Sequence, residues 1–149
     1  MLFVTAFCYA ELIDRVVAFV DDRAITLSEF EETCEKTKKV RPEISKEEVL
    51  NTMINRILML NEAKKLKFEA KTDDELIKEY IEMKVKAFIR VSEEEIEEFY
   101  NRNISEFKGA GYEAVRDKIE EYLSEREINR LLKRHIEELR ARAYIKIIK

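Results

Sequence analysis

The sequence predicts a mainly α-helical chain of about five helices, with a small N-terminal β-hairpin joined by a strand from the C-terminal end. Three observations carry that reading. Ser28 with Glu31, Ser45 with Glu48, Thr72 with Glu75 and Ser92 with Glu95 each fit the capping pattern in which a hydroxyl and a carboxylate satisfy orphan backbone N–H groups. No helix breaker stands between Tyr112 and about Ala143. Val16 to Val20 and Ala24 to Thr26 are β-branched and apolar runs interrupted by Asp21, Asp22 and Arg23, and Tyr144 to Ile148 is a third such run.

Composition bounds the rest. A chain of 149 residues with 46% hydrophobic side chains can bury a core without disulfides, and 40% charged residues imply solvated helix faces. Two glycines and one proline leave little punctuation, so the helices should be long. Glutamine is absent while Glu, Lys and Arg dominate, a bias similar to that of thermophile proteins. The net charge of −4 offers no general attraction to nucleic acid, and Lys38, Lys39, Lys64 and Lys65 sit among glutamates rather than in a basic stripe. No run is long enough to span a bilayer, so stable membrane insertion is not expected.

Met1 to Ala10, MLFVTAFCYA, is apolar and ends in Cys-Tyr-Ala, small residues where a signal peptidase reads. It reads as the second half of a secretory signal, truncated because the true start lies upstream; the alternative is a disordered or packed tail. Phe7 stands where a lipobox wants a small residue, which argues against lipidation of Cys8. With the leader removed, Cys34 is the sole cysteine and no intramolecular disulfide can form.

In chain order, the hairpin leads into a first helix from about Glu29 to Lys39, ending before Pro42 because the residue preceding proline disfavours the helical conformation. Phe30, Thr33, Cys34 and Thr37 share one face, so Cys34 is expected in the core. The second helix carries Val49, Leu50, Met53, Ile54, Ile57, Leu58 and Leu60 and continues as far as Leu66. The third is expected from Asp73 to about Arg90. Its apolar positions cover an arc of roughly 240°, far beyond the stripe of about 100° that one-sided packing needs. It is therefore either sandwiched between two elements or presents a spare apolar face. Gly109, Ala110 and Gly111 form a joint without the spacing of a phosphate loop.

A continuous helix from Tyr112 to about Ala143 would reach about 48 Å, against a radius of gyration of about 14 Å for a compact globule of this length. An elongated molecule is expected. That helix also changes face: Tyr112, Val115, Ile119 and Tyr122 lie roughly 150° from Ile128, Leu131, Leu132, Ile136 and Leu139. Either it bends near Ser124 or its halves pack against different parts of the protein. The strand at Tyr144 to Ile148 is the natural partner for the hairpin, since two strands alone are marginal in water.

The catalytic inventory is thin. His135, the single histidine, lies beside Leu131, Leu132 and Leu139 and is expected to be a core or boundary residue. One histidine with at most one cysteine cannot make an ordinary zinc site. The acidic runs Glu93 to Glu98 and Glu31 to Glu35 lack the ladder of a calcium loop. No nucleophile elbow and no cofactor site are visible.

Several stretches, taken in order, resemble the SurA-like periplasmic chaperones, relatives of the parvulin-type prolyl isomerases. DRVVAFVDDRAITLSEFEE is similar to that family's opening strands and first helix, and VLNTMINRILMLNEAKKL to its second helix. VSEEEIEEFYNRNISEF is similar to the helix leading into the isomerase domain, and GYEAVRDKIEEYLSEREINRLLKRHIEELRARAYIKII to the closing helix and strand. Family members insert a parvulin domain between those last two; here Phe107 and Tyr112 are separated only by Lys-Gly-Ala-Gly. The resemblance thus implies one elongated helical chaperone module over residues 11–149. Its parts are the hairpin and helices to 107, a glycine turn at 108–111 and the closing helix and strand at 112–149, with no isomerase residues to carry over.

What the resemblance implies for function is an ATP-independent holdase of the periplasm, not an enzyme. Its partners would be unfolded polypeptides, outer-membrane proteins in transit among them, held in an apolar groove. Tyr80, Met83 and Phe88, from the broad-faced third helix, are the expected peptide-binding residues, since methionine and aromatic side chains re-pack around varied clients. The competing expectation is a structural assembly module whose apolar face is a permanent homodimer or partner interface.

Overall fold

The computed structural model describes residues 14–67 and 70–148; the leader-like stretch with Cys8 lies outside them. The element order is β1 (Val16–Val20), β2 (Arg23–Thr26), α1 (Leu27–Val40), α2 (Lys46–Lys65), α3 (Asp73–Lys84), α4 (Glu93–Arg102), α5 (Tyr112–Arg142) and β3 (Ile145–Ile147). Short 3-10 turns occupy Lys86–Phe88 and Ile104–Phe107. The described residues are mainly helical, with five α-helices and one three-stranded antiparallel sheet among them. The backbone forms two compact units, one built from the chain up to Ile54 together with the segment from Tyr144, the other from Asn55–Ala143.

In the first unit the sheet order β2-β1-β3 puts β1 at the centre. Asp21 makes the hairpin turn with a left-handed φ of 53°, a conformation that aspartate tolerates better than bulkier residues. The same residue clamps the start of β3: its N–H donates to the Tyr144 carbonyl at 2.8 Å, and its carboxylate accepts from the Tyr144 N–H at 2.9 Å. Pairing then runs Val20 with Ile145, Phe19 with Lys146 and Ala18 with Ile147. On the other edge the register shifts between Val16 and Ala18, a bulge at Val17, whose carbonyl accepts from Ile148. Ala18, Val20 and Ile25 are fully buried by this arrangement, and Cys34, Ile44, Val49, Met53 and Ile54 complete the unit's buried set. Cys34 is a free core thiol, as its helix face predicts.

The start of α1 differs from the expectation at Ser28. Strand β2 runs straight into the helix, and the N-cap is Thr26, whose extended backbone ends the strand and whose hydroxyl accepts from the Glu29 N–H at 3.3 Å. Thr26-x-x-Glu29 is itself a capping pattern, but Glu29 pairs with Arg23 at 3.1 Å. Ser28 lies inside the helix, and its N–H donates to the Asp14 carboxylate at 3.2 Å. The Ser45 cap of α2 forms as expected, with reciprocal bonds to Glu48 of 3.1 and 2.9 Å. So does the Ser92 capping box of α4. At α3 only half the box forms, because Thr72 accepts from Glu75 while the Glu75 carboxylate accepts from the N–H of Lys71 instead.

In the second unit α3 is shorter than its apolar periodicity suggests. It ends at Lys84, the Val85 N–H closes the last turn on Ile81, and the chain tightens into the 3-10 turn at Lys86–Phe88. This ending accounts for much of the wide arc. Leu76, Ile77 and Tyr80 pack on Leu60 and Ala63 of α2, with Met59 and Ile81 flanking them. Val85 is buried beyond the helix end, whereas Phe88 faces outward. Helix α5 is continuous over 31 residues, about 46 Å. Its first half packs Ile119 and Leu123 on Ile96 of α4, with Val91, Phe99, Tyr100, Phe107, Tyr112 and Val115 around them. Its second half meets α3 through His135 and α2 through Arg140, whose guanidinium donates to the Asn55 side-chain carbonyl at 2.7 Å. The two apolar faces of α5 thus serve different neighbours. The turn before α5 uses left-handed Lys108 and Gly109, the latter at φ 85°, and the Tyr100 hydroxyl fastens it by donating to the Ala110 carbonyl at 2.9 Å.

The cap assignment is open to direct measurement. Thr26→Ala should lower unfolding free energy by about 1 kcal/mol, the usual loss on removing a hydroxyl cap, and Ser28→Ala should change it by less than about 0.5 kcal/mol. Urea denaturation of both variants reads the difference, and equal losses would contradict the placement of the cap.

Candidate functional site

Two features of the second unit carry polar chemistry next to apolar surface. The first is buried. The Tyr80 side chain, 1% exposed, spans from α3 to α5, where its hydroxyl lies 2.5 Å from His135 Nε2 and the two rings meet at a centroid distance of 5.6 Å. Burial pushes the Tyr80 hydroxyl up to about 12, so the phenol stays protonated at neutral pH. Burial also lowers His135 from its ordinary value, opposed by Glu138, whose carboxylate lies 3.8 Å from Nδ1. A neutral imidazole protonated at Nδ1 faces that carboxylate and leaves Nε2 free to accept the Tyr80 proton. The pair is a polar rivet between helices: Nε2 is paired with the Tyr80 hydroxyl in the packing, and Nδ1 faces the exposed Glu138 carboxylate.

The second feature is open. A cleft of about 370 Å³ lies between the segment after α3, helix α4 and the middle of α5. Its apolar wall comes from Phe88, Ile89, Val91, Phe99 and Leu123, and its rim from Arg90, Arg102, Arg126 and three glutamates. Phe88 stands at the mouth with 74% of its surface exposed, at the end of the 3-10 turn that follows buried Val85. Phe99 is kept in place by Tyr122 of α5, with ring centroids 5.3 Å apart. The start of α4 is pinned to α5 nearby: Glu93 accepts from both the Tyr112 hydroxyl and the Arg116 guanidinium, and Arg116 also reaches Asp117 and Glu120. The Arg116 fork, more than the Tyr112 hydrogen bond, holds the Glu93 carboxyl below the usual carboxylate range.

The expected peptide-binding residues separate into two places. Tyr80 is in the core and is not offered to a docking chain. Met83 and Phe88 are both on the surface, Met83 at 40% exposure, but Phe88 belongs to the cleft wall while Met83 does not line it. Arg90, Val91, Phe99, Leu123 and Arg126 were not singled out from the sequence. Their common signal is weak, since they come from a linker and two helices that only the folded backbone brings together.

Among the described residues no cluster of three or more His, Cys, Asp or Glu is placed to hold a metal ion, and no helix is long and apolar enough to cross a membrane. No protein-family model and no curated protein matches this chain.

The rivet makes a pH prediction. Because the folded chain holds His135 below its ordinary 6.5, the unfolded chain binds the proton first as pH falls. Stability should therefore drop on acidification from about pH 6.5, and this step should vanish in His135→Asn. Chemical denaturation between pH 5 and 8 checks it, and an NMR titration of the single histidine with a midpoint above 6.5 would contradict it.

Proposed function

We propose that the protein is an ATP-independent holdase of the periplasm, which binds unfolded exported polypeptides, outer-membrane proteins among them, at the open cleft between α4 and α5. The observation that carries the reading is Phe88. A large aromatic side chain is held almost wholly in solvent beside an apolar wall, on a short turn anchored by buried Val85. Exposed aromatic surface next to a concave apolar wall suits capture of extended chain segments. The order of strand, helix and closing-helix motifs, which resembles the SurA-like chaperones, supports the same reading, and the leader-like start supports export.

The size of the cleft fits weak binding. About 370 Å³ accommodates one or two side chains, not a folded partner. Affinity per site is then limited by the cost of ordering the client, and release needs no nucleotide because each contact is individually weak. The charged rim keeps the exposed wall small and discontinuous, which restrains self-association.

The test is light scattering from a denatured outer-membrane protein diluted into buffer with and without the chain lacking Met1 to Ala10. Suppression at stoichiometric amounts is expected, and Phe88→Ser should weaken it severalfold while leaving the thermal midpoint nearly unchanged, as usual for an exposed position. Full aggregation in the presence of the folded wild-type chain would overturn the proposal. So would a tight homodimer in sedimentation that hides Phe88 and ignores unfolded clients.

A further inference from the structure

The charges around the cleft are not equivalent, and sorting them by their partners shows what the rim can still bind. Glu95 is committed to its capping box, where its carboxylate accepts from the Ser92 N–H at 2.8 Å and lies 3.0 Å from the Ser92 hydroxyl oxygen. Glu98 is neutralised by Arg102 at 2.9 Å. Glu127 is gripped by Arg130 through two bonds of 2.8 and 2.6 Å, with Arg130 lying outside the cleft. Each rim carboxylate therefore already has a partner. Among the described residues, Arg90 and Arg126 have neither an ion-pair nor a hydrogen-bond partner at contact distance; Arg126 lies over the Tyr122 ring at 6.0 Å and is within electrostatic reach of Glu95 and Glu127. Both guanidiniums line the same cleft as the apolar wall. A mainly polar cleft with a smaller apolar lining and two arginines outside any contact ion pair is complementary to an anion that also carries an apolar body.

We infer that the cleft selects client segments in which an aromatic side chain is flanked by carboxylates. The ring seats against Phe88, Val91 and Phe99, and the carboxylates reach Arg90 and Arg126. This inference rests on the holdase reading for its biological setting and on the cleft alone for its chemistry. Aromatic clients flanked by lysine bring like charge to Arg90 and Arg126 and are disfavoured, so the rim acts as a filter laid over a general apolar contact. The contribution is electrostatic and partly solvated, so it weakens as salt is raised.

Fluorescence anisotropy with three labelled peptides of otherwise identical polar sequence tests it: Phe flanked by Asp, Phe flanked by Lys, and Ala flanked by Asp. The Phe-Asp peptide should bind the full chain at least tenfold more tightly than either other. The double variant Arg90→Glu, Arg126→Glu should reverse the preference between the Asp and Lys peptides, while Lys118→Glu, on α5 outside the cleft, should leave it unchanged. If the double reversal fails to fold by circular dichroism, Arg90→Gln with Arg126→Gln should abolish the preference without reversing it. Equal binding of the Asp and Lys peptides, or a preference that survives these variants, overturns the selectivity. Suppression of aggregation that persists in the charge variants, with no peptide preference, sinks the selectivity and leaves the holdase reading standing. Failure to suppress aggregation alongside a clear Phe-Asp preference sinks the holdase reading and leaves the selectivity standing.

Discussion

The second unit is arranged around one constraint, the unbroken backbone of α5. Once Tyr112 to Arg142 forms a single helix, its residues lie on a rigid rod with 1.5 Å rise and 100° rotation per step, and no bend is needed to reconcile its two apolar faces. Ile119 and Leu123 point to α4, and His135, twelve residues beyond Leu123, points to α3. The rod therefore spaces two contacts that are chemically different: a dry apolar cluster at one end and a hydrogen-bonded aromatic pair at the other. Residues 123 and 126 of the same rod supply wall and rim to the cleft, so the geometry of the candidate site is inherited from the helix rather than from a loop.

Much of this arrangement was legible because the governing rules are local. A capping residue and its carboxylate are three positions apart, so Ser45 and Ser92 could be read without knowing the fold. The run without breakers predicted α5, and the apolar strand after it predicted that β3 joins the hairpin, where it pairs with β1. The failures are equally specific. Thr26 displaced Ser28 as a cap because β2 continues into the helix without a loop, and because Asp14, outside the helix, satisfied the Ser28 N–H. The end of α3 was invisible since no glycine or proline marks it; burial of Val85, a tertiary event, ends the helical run. Arg90 and Arg126 stood out least, because a sequence rich in both signs of charge does not tell which ion pairs form.

That last point bears on how the charged surface should be weighed. Pairs such as Lys36 with Glu32 and Lys86 with Glu82 are exposed and one helical turn apart, so solvent screens them and each contributes little. Their effect on stability is small even in sum at ordinary temperature. Arg116 is different in kind, because it joins Glu93 at the start of α4 to Asp117 and Glu120 on α5, linking two elements instead of one. It bridges the same two helices, α4 and α5, that pack Phe99 against the cluster holding Leu123.

The exposed position of Phe88 then follows from the same economy of elements. Val85 stays in the core at the end of α3, whereas Phe88, which closes the 3-10 turn after it, is exposed. An α-helix continued through this segment would rotate position 88 by about 300° from position 85 instead, and would carry Ile89 and Arg90 onward as part of a rod. The α-helix ends before this segment, Ile89 is extended, and Ile89, Arg90 and Val91 line the cleft before the Ser92 cap starts α4. Phe88, Arg90 and part of the apolar lining thus all come from the short segment between the end of α3 and the Ser92 cap.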